Sequence, residues 1–261
     1  MSALYAYCAL VRAALIGPIA VVVVASFTGG ETIGFPPEGF SLRWYRAFLD
    51  DPEFVDAALI SLEVTASVAV LATVLGTAAA LALTRFAVPA RRWIEAFLAM
   101  PLGIPAVVLG LGFLVFYTQA GFGGTKAGLV AGHVVFTAPF VLRLVGASFA
   151  QHNPSLERAA AGLGAGPGWV FWHVTLPGIR AGVIGGAVFA GILSFDEVVI
   201  SLFLSGPDAI TLPVRIFPYV DQSPGPIVLA AGSVLVGFAL VVFALLDSTV
   251  RVSRAFGLEQ R

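Results

Sequence analysis

In the stretch "SFDEVVI", Phe195, Asp196 and Glu197 place an aromatic ring and two carboxylates inside an apolar run that continues past Phe203. A carboxylate in low-dielectric surroundings attracts an ammonium group far more strongly than in water, and an aromatic face adds cation–π attraction. Ionisable residues inside a membrane-type run are costly and by default mark a pathway or a wet cavity. Asp196, Glu197, Phe195 and Phe203 are therefore the candidates for contact with a cationic solute. On a helix, adjacent residues point about 100° apart. One carboxylate can then face a pathway while the other meets a neighbouring helix, and the competing role for either is an ion pair or a helix-end hydrogen bond.

Other groups that could do chemistry are fewer. Glu63 falls near the end of its apolar run, where simple solvation suffices. His133 lies within a run and reads as a hydrogen-bonded packing residue ahead of a proton relay. His152 and His173 do not combine with the lone Cys8 into a metal-ligand pattern, so no metal is expected. Cys8 cannot form an internal disulfide and reads as a small apolar core residue. Nothing groups a nucleophile with a base and an acid, so no catalytic residue and no cofactor are expected. No phosphate-binding Gly-x-x-x-x-Gly-Lys-Ser/Thr pattern occurs either; "GFGGTKAG" has the wrong spacing. The chain is not expected to be an enzyme or to bind nucleic acid.

The elements that must carry these residues follow from composition. Of 261 residues, 59% are hydrophobic and only 11% charged, and the mean hydropathy is +0.97. A water-soluble domain could not cover that surface. Crossing hydrocarbon takes about 20 apolar residues in a helix. Such runs occur near 5–27, 58–84, 93–118, 127–149, 181–204 and 227–246. They are continuously apolar, unlike the alternating strands of about 10 residues in a barrel. The expected fold is all-α, a single polytopic bundle of six transmembrane helices in a lipid bilayer, with Pro18, Pro101, Pro105 and Pro139 tolerated inside the spans.

Most Lys and Arg residues cluster near one set of ends, including Arg12, Arg85, Arg91, Arg92, Arg143, Arg158 and Arg180, with Arg251, Arg254 and Arg261 in a basic end "RVSRAFGLEQR". The loop after the first run carries Glu31, Glu38, Asp50, Asp51, Glu53 and Asp56 instead. The positive-inside rule then puts both termini, and the segment between the fourth and fifth runs, in the cytoplasm. The first run read as a cleaved signal peptide is the alternative, and would leave five spans.

That cytoplasmic segment, about 150–180, contains "LERAAAGLGAGPGWVFWHVTLP". Asn153-Pro154 is a cap followed by a first-turn proline, and Gly164 or Gly166 can end the helix in a left-handed conformation. Ala159, Ala160 and Ala161 form a small face between the apolar anchors Leu156 and Leu163, a shape suited to docking another protein.

These residues resemble the signature loop of permease subunits of ABC importers, which reads Glu-Ala-Ala, three residues, Gly, nine residues, Ile, one residue, Leu-Pro. Ala159, Ala160, Gly164, Leu176 and Pro177 fall into register, Val174 replaces the Ile, and Arg158 stands where the signature has Glu, with Glu157 one residue earlier. "PEGFSLRWYRAFLDD" and "SFDEVVISLFLSGPDAITLPVRIF" are similar to segments of the spermidine and putrescine permease type. The resemblance implies a coupling helix between helices 4 and 5, a cytoplasmic ATPase dimer as partner, a second permease subunit that is a non-identical paralogue, and a periplasmic or extracellular solute-binding protein. It also implies a bacterial cytoplasmic membrane location and a polyamine or related small solute as cargo. Glu157, Arg158, Ala159, Ala160, Gly164, Leu176 and Pro177 become the candidate ATPase-coupling residues. An ATP-independent secondary transporter or channel subunit is the alternative; it would show paired ionisable groups in several helices or two repeated halves.

Overall fold

In a computed structural model the described residues are 2–222 and 225–255, with side chains described outside 2, 3, 221, 222 and 245–255. Every long element is helical: α1 Ser2–Ala25, α2 Arg43–Asp50, α3 Pro52–Arg85, α4 Arg91–Ala99, α5 Ala106–Gln119, α6 Lys126–Gln151, α7 Pro154–Gly162, α8 Pro167–Val170, α9 Leu176–Asp196, α10 Val199–Leu204, α11 Leu212–Gln222 and α12 Pro226–Ala255. The extended contact among the described residues is a single bridge between Thr28 and Phe40. The side chains of the basic C-terminal end lie outside the described residues.

Among the described residues five helices are long and apolar enough to cross a membrane: Leu4–Ala25, Pro52–Arg85, Lys126–Gln151, Pro167–Asp196 and Pro226–Ala244. A sixth crossing exists only if Arg91–Leu102 and Ala106–Gln119, bent by 100°, are taken together. The run 93–118 is thus not one straight helix. Pro105 is extended at ψ 136° and becomes the N-cap of α5. A proline cannot donate to the preceding turn and pushes its predecessor out of the helical region, so here it breaks the run rather than being absorbed.

The fifth run also differs from the 181–204 window. The helix begins at Pro167, passes through a π-helical turn at Phe171–Thr175, continues as α9, and stops at Asp196. Within this continuous helix Pro177 has no N–H to offer, and a widened turn just before it, closed by Leu176 N–H donating to Phe171 O, takes up the mismatch. Past Asp196 the chain is extended at Glu197, with ψ 111°, before α10 begins. Hydropathy windows pass over both breaks because the residues across them remain apolar.

The chain forms two compact units. One comprises 1–61 and 210–241, the other 62–209 and 242–261. The first packs Phe48, Phe54, Ala57, Leu212, Ile216 and Ala231 into a buried cluster. Ser61 Oγ accepts the backbone N–H of Leu212 at 2.8 Å, and Tyr45 shares its hydroxyl between Ser26 and Ser233 at 2.6 and 2.7 Å. In the same unit α1 keeps most of its apolar side chains exposed, Leu4, Leu10, Leu15 and Ile16 among them. Cys8 is exposed with them rather than in a core. A helix with no polar face is stable there only in hydrocarbon or against another apolar surface.

The second unit is organised on glycine. Gly178, Gly182 and Gly186 recur every fourth residue of α9 and lie against the His152 ring, against Ser148 with Leu144 O, and against Val141 of α6. Val141 is fully buried and also fills the space over Gly76 of α3. Small residues at i, i+4 and i+8 let backbones approach closely where no hydrophobic effect drives helices together. Leu204 and Ile200 of α10 sit over Gly132 of α6, and Phe203 sits over Gly110 of α5.

Candidate functional site

The loop that follows α6 folds as its residues dictate. Asn153 caps α7, its Oδ1 accepting from Ser155 N–H at 3.0 Å, with Pro154 in the first turn. At the other end Gly164, rather than Gly166, takes the left-handed conformation, at φ +91°. Gly164 N–H donates to Ala161 O at 3.0 Å and Ala165 N–H to Ala160 O at 3.1 Å. This pair of bonds is the Schellman termination, which satisfies carbonyls a helix end would otherwise orphan. Leu163, just before the turn, is 91% exposed, and Leu156, Arg158, Ala159 and Ala161 are exposed with it. Trp169 and Trp172 are exposed on the following helical stretch. Leu176 is half-buried and Pro177 exposed at the start of α9.

Glu157 points the other way. Its Oε1 accepts from Arg85 Nη2 and from Thr175 Oγ1, both at 3.0 Å. Arg85 Nε lies 2.9 Å from Oε2, and His152 Nε2 lies 3.1 Å from Oε1. The Arg85 Nε approach is a charge contact outside hydrogen-bond angles, and the His152 Nε2 approach likewise lacks hydrogen-bond geometry. The side chains are largely withdrawn, at 22% exposure for Arg85, 16% for Glu157 and 4% for His152. Sequence reading placed Glu157 beside the signature position but missed this pairing, whose partners lie up to 72 residues away. The only local hint was a base at the end of an apolar run.

The membrane carboxylates separate as their spacing requires. Asp196 is exposed on the surface of the chain, whereas Glu197 Oε1 accepts the backbone N–H of Ile200 at 2.8 Å and so caps the start of α10. Phe195 is buried, and Phe203 is packed on Gly110. The four candidates therefore share one helix break without sharing one surface. Glu63 pairs with Lys126 at 2.6 Å in an exposed contact of 62% and 47%, worth little in stability.

His133 secures the same break. Its ring is fully buried, with Nδ1 2.9 Å from Ser194 Oγ at the end of α9 and Nε2 2.9 Å from Ser201 Oγ in α10. Ser201 Oγ–H is already committed to Glu197 O at 2.7 Å. Ser201 Oγ therefore accepts from Nε2–H, and Ser194 Oγ holds the other ring nitrogen. His133→Ala removes the ring partner of both hydroxyls and leaves a cavity, and should lower the stability of the purified protein by about 3 kcal/mol, read as a fall in its thermal midpoint. An unchanged midpoint would show the network to be dispensable. Among the described residues no three His, Cys, Asp or Glu side chains are grouped to hold a metal.

Among the described residues, at least five helices long and apolar enough to cross a membrane, with a helix break at Asp196–Glu197 and an exposed turn at Gly164, make this a polytopic membrane protein. Residues 72–251 match the family described as binding-protein-dependent transport system inner membrane component, and the chain belongs to that family. It is 32% identical over 235 residues to the putrescine transport system permease protein PotI of Escherichia coli K12, covering 87% of this chain and 83% of that protein. It is 29% identical over 242 residues to the spermidine/putrescine transport system permease protein PotC of the same organism, covering 93% and 89%. The fold matches the crystal structure of a bacterial ABC transporter involved in the import of the acidic polysaccharide alginate, with TM-score 0.72 and 16% identity over 97% of this chain and 95% of that one. The protein is thus a multi-pass inner-membrane permease subunit of an ABC importer.

Proposed function

We propose that this permease conducts a small cationic amine of the polyamine class, driven by an ATPase dimer that docks on α7 and the turn after it. A second, non-identical permease completes the pathway, and a solute-binding protein delivers the cargo. ATP is hydrolysed by the partner, and both termini, with the docking loop, face the cytoplasm. The observation that carries the coupling half of the reading is the Gly164 turn, which holds Leu163 outward beside the exposed Arg158, Ala159 and Ala161. The cargo half is supported by the names of the relatives PotI and PotC and by Asp196, an exposed carboxylate at a helix break.

The test is uptake by the complete complex in proteoliposomes, with labelled putrescine, spermidine, a neutral amino acid and an anionic solute. ATP-dependent accumulation of a polyamine is expected. Accumulation of only the anionic or neutral solute would refute the cargo, and accumulation without ATP would refute the ATPase partnership.

A further inference from the structure

Four elements converge on one carboxylate. Glu157 belongs to α7, Arg85 is the last residue of α3, His152 directly follows α6, and Thr175 closes the π-helical turn that leads into α9. Glu157 Oε1 accepts both hydrogen bonds, Arg85 Nε adds a charge contact at Oε2, and His152 Nε2 lies close to Oε1. The partners are themselves fixed. The Arg85 guanidinium lies over the Phe149 ring, 5.1 Å from its centroid, and the His152 ring rests on Gly178 at the start of α9. Arg158, the next residue, is exposed.

We propose that Glu157 is a positioning residue that ties the coupling helix to the ends of α3, α6 and α9, so that a displacement of α7 by the docked ATPase reaches three helices through one side chain. The proposal rests on the reading of α7 as the ATPase contact. It divides the two charged residues of the loop: Glu157 transmits inward, and Arg158 is presented to the partner. A docking surface that meets Arg158 must supply a carboxylate or a carbonyl there, since an opposing base would repel it.

An isolated exposed ion pair would carry no such role, because its worth is close to nothing. This one is mostly withdrawn from water, and removing one member leaves a charge without its partner. A rigid tie also differs from simple packing in what it predicts. Loss of packing lowers stability, whereas loss of the tie lets α7 move without its helices and wastes ATP.

The experiment measures ATP hydrolysed per solute imported, in proteoliposomes holding the complete complex. Glu157→Gln keeps the shape and removes the charge, and it should raise that ratio about tenfold, a typical size for coupling between two sites. Arg85→Glu and Glu157→Arg should each raise it as well, and the double variant Arg85→Glu/Glu157→Arg should bring it back towards the wild-type value. A wild-type ratio in Glu157→Gln, or no recovery in the double variant, overturns the proposal. Failure of the wild-type chain to retain the ATPase would overturn the coupling reading itself, a result that copurification of the subunits reports separately.

Discussion

A Gly164→Val complex is expected to insert and assemble, and to lose solute import by at least about tenfold while the membrane helices remain folded. The physical cause is local. At φ +91° Gly164 occupies backbone space that a β-branched residue enters only with strain. Nothing lies within reach of a Cβ there, so the effect is conformational and not a clash. Forcing φ negative breaks the paired bonds from Gly164 to Ala161 and from Ala165 to Ala160, and swings Leu163 away from its outward position. Asparagine tolerates the left-handed region better than other residues with a side chain. Gly164→Asn should therefore retain more import than Gly164→Val, with Gly164→Ala between them. The measurement is ATP-driven uptake beside circular dichroism of the purified complex. Normal uptake by the valine variant would remove the turn from the coupling path.

The helical membrane architecture was legible because hydropathy is a sum over many residues, and the turn after α7 was legible because capping chemistry is local. Asn153, Pro154 and Gly164 act on residues within a few positions of themselves, and the structure uses each in that way. What the sequence hid was either long-range or a matter of degree. Pro105 breaks its run while Pro139 is accommodated inside α6, and nothing in the immediate composition separates the two. The glycines at 178, 182 and 186 have the spacing of a close helix contact, a signal that could have been read, but their partners on α6 could not. Glu157 stood out in the sequence only as the acid one residue before the signature position; its neighbours come from three separate elements.

The break after Asp196 lets the two acidic residues be told apart by experiment. Asp196→Asn is expected to cut the initial rate of cationic amine uptake by about tenfold, because an exposed carboxylate at a low-dielectric helix break contributes its full charge to an ammonium group passing it. Glu197→Gln should cost far less. Its side-chain oxygen already accepts the Ile200 N–H, and glutamine retains an oxygen able to do the same. Glu197→Ala removes that cap and should destabilise the start of α10 by about 1 kcal/mol, lowering the amount of assembled complex more than the rate per complex. The readout is uptake of labelled putrescine normalised to complex recovered, with an anionic solute in parallel. Equal losses in Asp196→Asn and Glu197→Gln would mean that the charge of Glu197 counts beyond its cap and that both charges face the solute. Uptake untouched by Asp196→Asn would place the pathway on another face of the chain, because Asp196 is the most open of the four candidates, while Glu197 is held at the helix end, Phe195 is buried and Phe203 is half-buried against Gly110.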